Sequence, residues 1–512
     1  MTANVDRDQG RGIAPDSTVA VVGTGTMGQG IAQVALLAGH HVRLHDVAPG
    51  RARTAVEAIT ARLDRLVAKG KLSAAARDDA AARLRPVGEL AALADSALVV
   101  EAILEDLGAK QQLFTALESV VAEDCLLATN TSSLSVTAVA GALRRPGRCV
   151  GLHFFNPAPL LPLVEVVSGF ATDREAADLA YGTAAAWGKT PVRCADTPGF
   201  IVNRVARPFY AEAFRVYEEG AADPATIDAV LRESGGFRMG PFELTDLIGQ
   251  DVNEAVTRSV WESFFHDPKF TPSLAQRRLV ESGLHGRKSG RGWYDHGEGA
   301  ERPEPHTAGP ARPPASVVVR GALPGPAAVL PALIEEAGMA VRYVEGESPA
   351  IVLPGGAQLC LTDGRPPAEQ PGVVQFDLAL DYRSASRVAV CAAAATDPAL
   401  VEEAVGLFQA LGKSVSVIGD VPGMIVARTV AMLADFAADA VAKGVASEED
   451  VDTAMRLGVN YPKGPLEWGA QVGHGTVRRL LAELHRCFPT GRYAPSSGLV
   501  RRAYAAEDVV PS

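Results

Sequence analysis

A chain of 512 residues is about three times the size of a typical domain, so it is expected to fold as several domains, each with its own core. It is 47% apolar and 21% charged, with no run of about 18 apolar residues and no basic start leading into an apolar stretch. That pattern excludes a membrane span and a secretory signal and predicts a cytoplasmic protein without a membrane partner. The 49 lysines and arginines face 60 aspartates and glutamates, and a net charge of -11 offers no footprint for nucleic acid, so an anionic ligand has to be held locally.

Residues 1–16 are polar and aperiodic, which predicts a flexible tail. Thr18 to Val22 is a short apolar run, Met27 to Leu37 has helical periodicity, and His41 to His45 alternates, so the chain opens strand, helix, strand. Further runs at Ala97–Val100, Leu126–Ala128 and Val150–Leu152 alternate with helical segments such as Leu107–Val121. This is the form of a Rossmann-type, doubly wound, mostly parallel sheet over 17–195. From Pro198 the spacing of apolar residues changes to three and four, predicting helices over Gly199–Glu218, Ala225–Glu233, Pro241–Leu247 and Val252–Phe265 in an all-α domain at 196–295. The proline-rich stretch 296–315 predicts an extended, semi-rigid linker.

Sliding the chain against itself by 224 residues aligns two long pieces in one register. DTPGFIVNR at 196–204 matches DVPGMIVAR at 420–428, and MGPFELTDLIG at 239–249 matches KGPLEWGAQVG at 463–473. Residues 395–505 are therefore expected to be a second all-α copy. Before it, 316–394 reads as a degenerate α/β segment, whose VVVRGALPG at 317–325 keeps the strand but not the glycine spacing of 23–28. The six cysteines lie far apart with no C-x-x-C pair, which predicts reduced core thiols. His41 and His45 have the spacing of a helical zinc pair but fall in a strand without a third ligand, so no metal is expected.

Gly23, Gly25 and Gly28 form G-x-G-x-x-G after a strand and at the start of a helix, and Asp46 ends the next strand. The glycines allow a tight turn, backbone approach to a pyrophosphate and close helix packing, while Asp46 suits two ribose hydroxyls and repels a 2′-phosphate. NAD is the cofactor expected. Asn130-Thr-Ser132-Ser-Leu follows one strand and His153-Phe-Phe-Asn156-Pro another, so a hydroxyl, an amide and an imidazole can converge at the strand ends where open α/β sheets bind ligands. Glu165 lies in LVEVV, a β-like run in which a carboxylate needs a donor or cation. Arg62, Arg65 and Lys69 recur at helical spacing as a local cationic stripe able to meet phosphates.

Together GTGTMG, VEAILEDLGAKQQLF, NTSSL, HFFNP, LVEVV, DTPGFIVNR, MGPFELTDLIG and GRKSGRGWYD resemble the NAD-dependent L-3-hydroxyacyl-CoA dehydrogenase family over residues 17–296. The continuation to 505 resembles longer bacterial members with a second, degenerate carboxyl-terminal domain. The resemblance implies oxidation of a (3S)-3-hydroxyacyl-CoA thioester with His153 as general base, Glu165 as its partner, and Ser132 and Asn203 on the substrate oxygen. It also implies cofactor contacts at Asp46, Glu105, Lys110, Asn130, Asn156 and Lys288. In the copy, His153 aligns with Asp377, Asn156 with Leu380, Glu165 with Ala389 and Asn203 with Ala427, so the second half is expected to be catalytically silent.

Two alternatives stand beside this: a dehydrogenase of a free hydroxy acid such as gulonate, and an NAD-binding scaffold or sensor without turnover. The duplication further predicts that 196–295 packs against 420–505 about an approximate twofold axis, an intramolecular pseudo-dimer binding one NAD, with room for further homo-oligomers.

Overall fold

A computed structural model describes residues 12–507. Eight strands form its first sheet: β1 (Thr18–Val22), β2 (His41–His45), β3 (Leu84–Val87), β4 (Ser96–Glu101), β5 (Leu126–Thr129), β6 (Cys149–Phe154), β7 (Leu163–Ser168) and β8 (Thr190–Ala195). Their order is β3-β2-β1-β4-β5-β6-β7-β8, and every neighbouring pair is parallel except β6 with β7. The apolar runs of β1, β4 and β5 are buried along their length, as a sheet covered on both faces requires. The connection 155–162 is too short for a crossover helix, which is why β7 returns antiparallel.

The predicted tail lies mostly outside the described residues. Its described end is tied down, since Ile13 N–H donates to Thr183 Oγ1 at 3.1 Å and a Cβ on Gly12 would lie 3.0 Å from the Gly182 backbone.

The chain forms two units, one running through Val202 and taking in Gly444–Val459, the other holding Asn203–Lys443 and the chain from Asn460. Part of the predicted 395–505 domain thus belongs to the first unit. Helix Glu448–Gly458 lies on β7 and β8, and Ala195 N–H donates to Val445 O at 2.8 Å. A Cβ on Gly458 would sit 2.7 Å from Leu163 and 3.0 Å from Val202, so the helix end comes closer than a larger residue allows.

In the second unit a seven-stranded sheet holds β9 (Ser316–Arg320), β10 (Ala340–Val344), β11 (Ala350–Val352), β12 (Gln358–Leu361), β13 (Val373–Phe376), β14 (Arg387–Ala392) and β15 (Ser414–Val417), in the order β10-β9-β11-β12-β13-β14-β15. The predicted linker has neither helix nor strand over 301–314, and its later part is laid against this sheet. Ala308 N–H donates to Val415 O at 2.8 Å, covering the free edge of β15, and the Arg387 guanidinium donates to His306 O at 3.1 Å.

The helices repeat at the offset seen in the sequence: Pro241–Ile248 and Gln250–Ser263 recur as Pro465–Val472 and His474–Cys487. Val202–Val205 and Arg207–Glu218 are separate, whereas the copy has one helix, Val426–Ala442. Pro208, with no N–H to donate, stands at the break, and its counterpart is Met432. Arg207–Glu218 packs against Val426–Ala442, helix Pro224–Glu233 lies on β14, and Gly419 N–H donates to Ala221 O at 2.8 Å. Of the cysteines, Cys125, Cys149, Cys194 and Cys391 are buried, while Cys360 and Cys487 are half-buried; all are free. Among the described residues no helix is long and apolar enough to cross a membrane.

Candidate active site

The turn after β1 has the geometry of a phosphate cradle. Gly23 has φ +98°, and a Cβ there would lie 2.4 Å from Ala102 O; on Gly28 it would lie 1.9 Å from Gly23 O. Only glycine fits either position. A Cβ on Gly25 would meet nothing within 4 Å, so the backbone ahead of helix Thr26–Leu37 is open to a pyrophosphate, and the residues fit a dinucleotide. Asp46 Oδ2 accepts the Thr24 N–H (3.0 Å) and hydroxyl (2.6 Å), and Oδ1 accepts Ala48 N–H (3.0 Å). Burial alone would raise this carboxyl, but the Thr24 and Ala48 bonds and the nearby Arg51 hold it below the usual range, so it stands ionised beside the cradle. Arg51, 4.0 Å from Asp46, was not singled out by the sequence.

A second cluster fixes the loop after β5. A single oxygen of Glu105 accepts the Thr131 hydroxyl (2.5 Å), Ser132 N–H (3.0 Å), Ser133 N–H (3.1 Å) and Ser133 hydroxyl (2.9 Å). Lys110 is 1% exposed and lies beneath it, 3.2 Å from Glu105 and 2.5 Å from Glu101. Although burial opposes ionisation, the Thr131 hydroxyl, the Lys110 charge and the Ser133 and Ser132 bonds hold the Glu105 carboxyl below its ordinary value. Glu101 is a residue the sequence reading missed: wholly buried, it also accepts the Thr129 hydroxyl (2.7 Å) and Ile103 N–H (2.7 Å). The spacing of an acid and a lysine nine residues apart does not show in the sequence that both are buried, so nothing there singled it out. Asn130 Oδ1 accepts Phe154 N–H at 2.9 Å, tying this loop to β6.

The third cluster is the β6–β7 pair. His153 and Glu165 are directly opposed across the antiparallel register, and His153 Nδ1 lies 2.6 Å from Glu165 Oε2. The other oxygen, Oε1, accepts Ile201 N–H (3.0 Å) and Val202 N–H (2.9 Å). His153 is 5% exposed, with the Phe155 and Phe200 rings 4.5 and 5.6 Å away. With Nδ1 engaged, Nε2 is the nitrogen left for a ligand. Phe200, at φ +49°, holds the strained turn that aims both amides at Glu165.

The other predicted residues are placed as follows. Asn156 is exposed after β6, and Asn203 is the residue after Val202 in helix Val202–Val205. Lys288 lies in the second unit, paired with Asp251 at 2.6 Å. Of the predicted stripe on helix Arg51–Ala68, Arg65 and its capping neighbour Lys69 are exposed, but Arg62 is half-buried and donates to Gln29, which in turn donates to Thr24 O at 2.8 Å. Arg62 thus braces the phosphate turn, and the stripe has two exposed members rather than three.

A family model described as the 3-hydroxyacyl-CoA dehydrogenase NAD binding domain matches residues 18–197, and one for the carboxyl-terminal domain of that enzyme matches twice, at 199–296 and 423–508. A third, the 3-hydroxybutyryl-CoA dehydrogenase reduced Rossmann-fold domain, matches 359–422. The chain is 46% identical over 487 residues to the 3-hydroxyadipyl-CoA dehydrogenase of Escherichia coli K12, covering 95% of this chain and 97% of that protein. A probable 3-hydroxybutyryl-CoA dehydrogenase of Deinococcus radiodurans is 41% identical but spans only 54% of this chain, with 99% of its own length. The crystal structure of an E. coli K12 3-hydroxybutyryl-CoA dehydrogenase superposes with a TM-score of 0.88 at 43% identity, covering 97% of this chain and all of that one. Dinucleotide cradle, imidazole–carboxylate pair and full-length likeness agree: the chain belongs to the 3-hydroxyacyl-CoA dehydrogenase family and is an NAD-dependent oxidoreductase in its long, duplicated form.

Proposed function

We propose that the protein oxidises the C3 hydroxyl of a (3S)-3-hydroxyacyl-CoA to the 3-oxoacyl-CoA, with His153 as general base. The observation that carries this reading is the buried cross-strand pair, His153 Nδ1 at 2.6 Å from Glu165. Glu165 fixes the tautomer, so Nε2 receives the hydroxyl proton, and the carboxylate stabilises the imidazolium that forms. NAD, when bound, supplies the hydride acceptor. Ser132, held by Glu105, and Asn203 polarise the substrate oxygen; exposed Arg65 and Lys69 meet the CoA phosphates. Steady-state oxidation of 3-hydroxybutyryl-CoA, 3-hydroxyadipyl-CoA and the free hydroxy acids tests it. The thioesters are expected to exceed the free acids in kcat/KM by at least 100-fold, and parity would point to a free hydroxy acid instead.

We further infer that the second half takes the place of a partner subunit. Helix Arg207–Glu218 packs on its own duplicate, and the two exchanges, Ala195 with Val445 and Gly419 with Ala221, are the same bond made from each copy. Within the second unit the fully buried Glu212 accepts Arg428 Nε (2.8 Å), Arg492 Nε (3.0 Å) and the Tyr493 hydroxyl (2.8 Å). Burial opposes its charge, yet the two guanidiniums hold its carboxyl down at about 2. Truncation after Gly299 would uncover this charged and apolar face, so the fragment should dimerise or aggregate; a monomeric, fully active fragment would contradict the reading.

A further inference from the structure

The degenerate sheet keeps more of a nucleotide site than its glycine spacing discloses. β9 and β10 pair in parallel over five residues, as β1 and β2 do. Gly321 N–H donates to Val344 O at 3.0 Å, as Gly23 N–H donates to His45 O at 2.9 Å. This register makes Gly321 the counterpart of Gly23, both left-handed at φ +63° and +98°, and makes Glu345 the counterpart of Asp46.

A cavity of about 610 Å³ opens at the carboxyl ends of β9 and β10, lined among others by Gly321, Leu323, Pro331, Ala332, Tyr343 and Glu345. Ligands of open α/β sheets sit at that edge, and the volume falls within the range of small-molecule sites. The cavity exists because the connection 345–349 is too short to carry a helix equivalent to Arg51–Ala68, which packs over β2 in the first sheet.

The parts that hold phosphate in the first sheet are missing. Leu323 stands two residues after Gly321, where the first sheet has Gly25, and is 6% exposed. Pro324 offers no N–H, the crossover begins as the tight turn Gly325–Val329, and among the described residues no lysine or arginine lines the cavity. What survives is a carboxylate at the position that reads a ribose diol, facing apolar walls that suit a flat base.

We propose that this cavity binds an uncharged nucleoside, its ribose diol on Glu345 and its base against Leu323, Pro331 and Ala332. The proposal is independent of the reaction assigned to the first sheet. The full-length protein is dialysed against labelled adenosine in saturating NADH, which keeps the first site filled. One adenosine is expected per chain, bound at least tenfold more tightly than 2′-deoxyadenosine or than adenosine by Glu345→Gln, since each change removes a hydrogen bond to a charged group. Ala332→Trp, which fills the cavity, should abolish retention, with turnover unchanged in both variants. The proposal is overturned if no adenosine is retained beside NADH, if 2′-deoxyadenosine or Glu345→Gln matches the parent pair, or if AMP binds more tightly than adenosine.

Discussion

Strands β6 and β7 and strands β13 and β14 are one hairpin built twice, and the two versions divide the work of a carboxylate differently. In the first, Glu165 on β7 gives Oε1 to the amides of Ile201 and Val202 and Oε2 to His153. In the second, Ala389 replaces the glutamate, and Asp377, at the place of the histidine, gives Oδ2 to the amides of Ile425 (3.0 Å) and Val426 (2.7 Å). Those are the same two amides, 224 residues on. The strained turn before them persists as well, with Phe200 at φ +49° and Met424 at φ +52°. One oxygen therefore serves the fold in both copies, whereas the oxygen facing an imidazole exists only in the first. The amide-holding carboxylate is common to both turns, and the His153 contact, which the proposed catalysis needs, is made only in the first.

This division can be broken from either side. His153→Gln should lower kcat by roughly 10²–10⁴, the usual contribution of general acid–base catalysis, with NADH affinity unchanged in a fluorescence titration. Glu165→Gln should lower kcat by about 10² or more while the protein stays folded. Its amide oxygen can still serve Ile201 and Val202, but an N–H then faces Nδ1 and forces the wrong tautomer. A melting curve beside the kinetics separates the two roles. Asp46→Ala, which also frees the Thr24 and Ala48 donors, should weaken NAD by about tenfold and reduce its preference over NADP; an unaltered NAD/NADP ratio would shift the assignment to another carboxylate.

The smallest kinetic effect is expected in the second hairpin. Asp377→Asn should leave kcat within twofold and cost about 1–3 kcal/mol of stability, because an amide nitrogen then faces backbone N–H donors. Burial pushes the Asp377 carboxyl up to about 6 against four backbone bonds that favour its charge. A carboxyl raised above its unfolded value binds protons more tightly when folded, so its contribution is full below about pH 4 and declines as pH rises to 6, by about 3 kcal/mol. Urea unfolding at pH 4, 5 and 6 should show the parent losing stability relative to the Asn variant by this amount, on top of the opposite slope that the lowered carboxyls of Asp46, Glu105 and Glu212 give to both proteins.

Much of this was legible in the sequence. The first sheet, its glycine turn and Asp46 follow from local apolar runs and turn chemistry, and the 224-residue repeat returned as helices with the same bounds. The antiparallel return of β7 was not legible, because LVEVV reads as buried strand in either direction; only the register shows His153 opposite Glu165. Glu101 was hidden for a related reason, since a charged residue at a strand end looks exposed until Lys110 folds over it. Residues 444–459 joined the first unit through a close approach at Gly458, which periodicity does not encode.

On the proposed reading, one hairpin of the two performs the chemistry. The most direct test is kcat of His153→Gln and Asp377→Asn measured side by side on the thioester the parent turns over fastest. Less than about 1% of parental turnover is expected for the first and near-parental turnover for the second. About half the parental rate in each would show that both copies work and would contradict that reading.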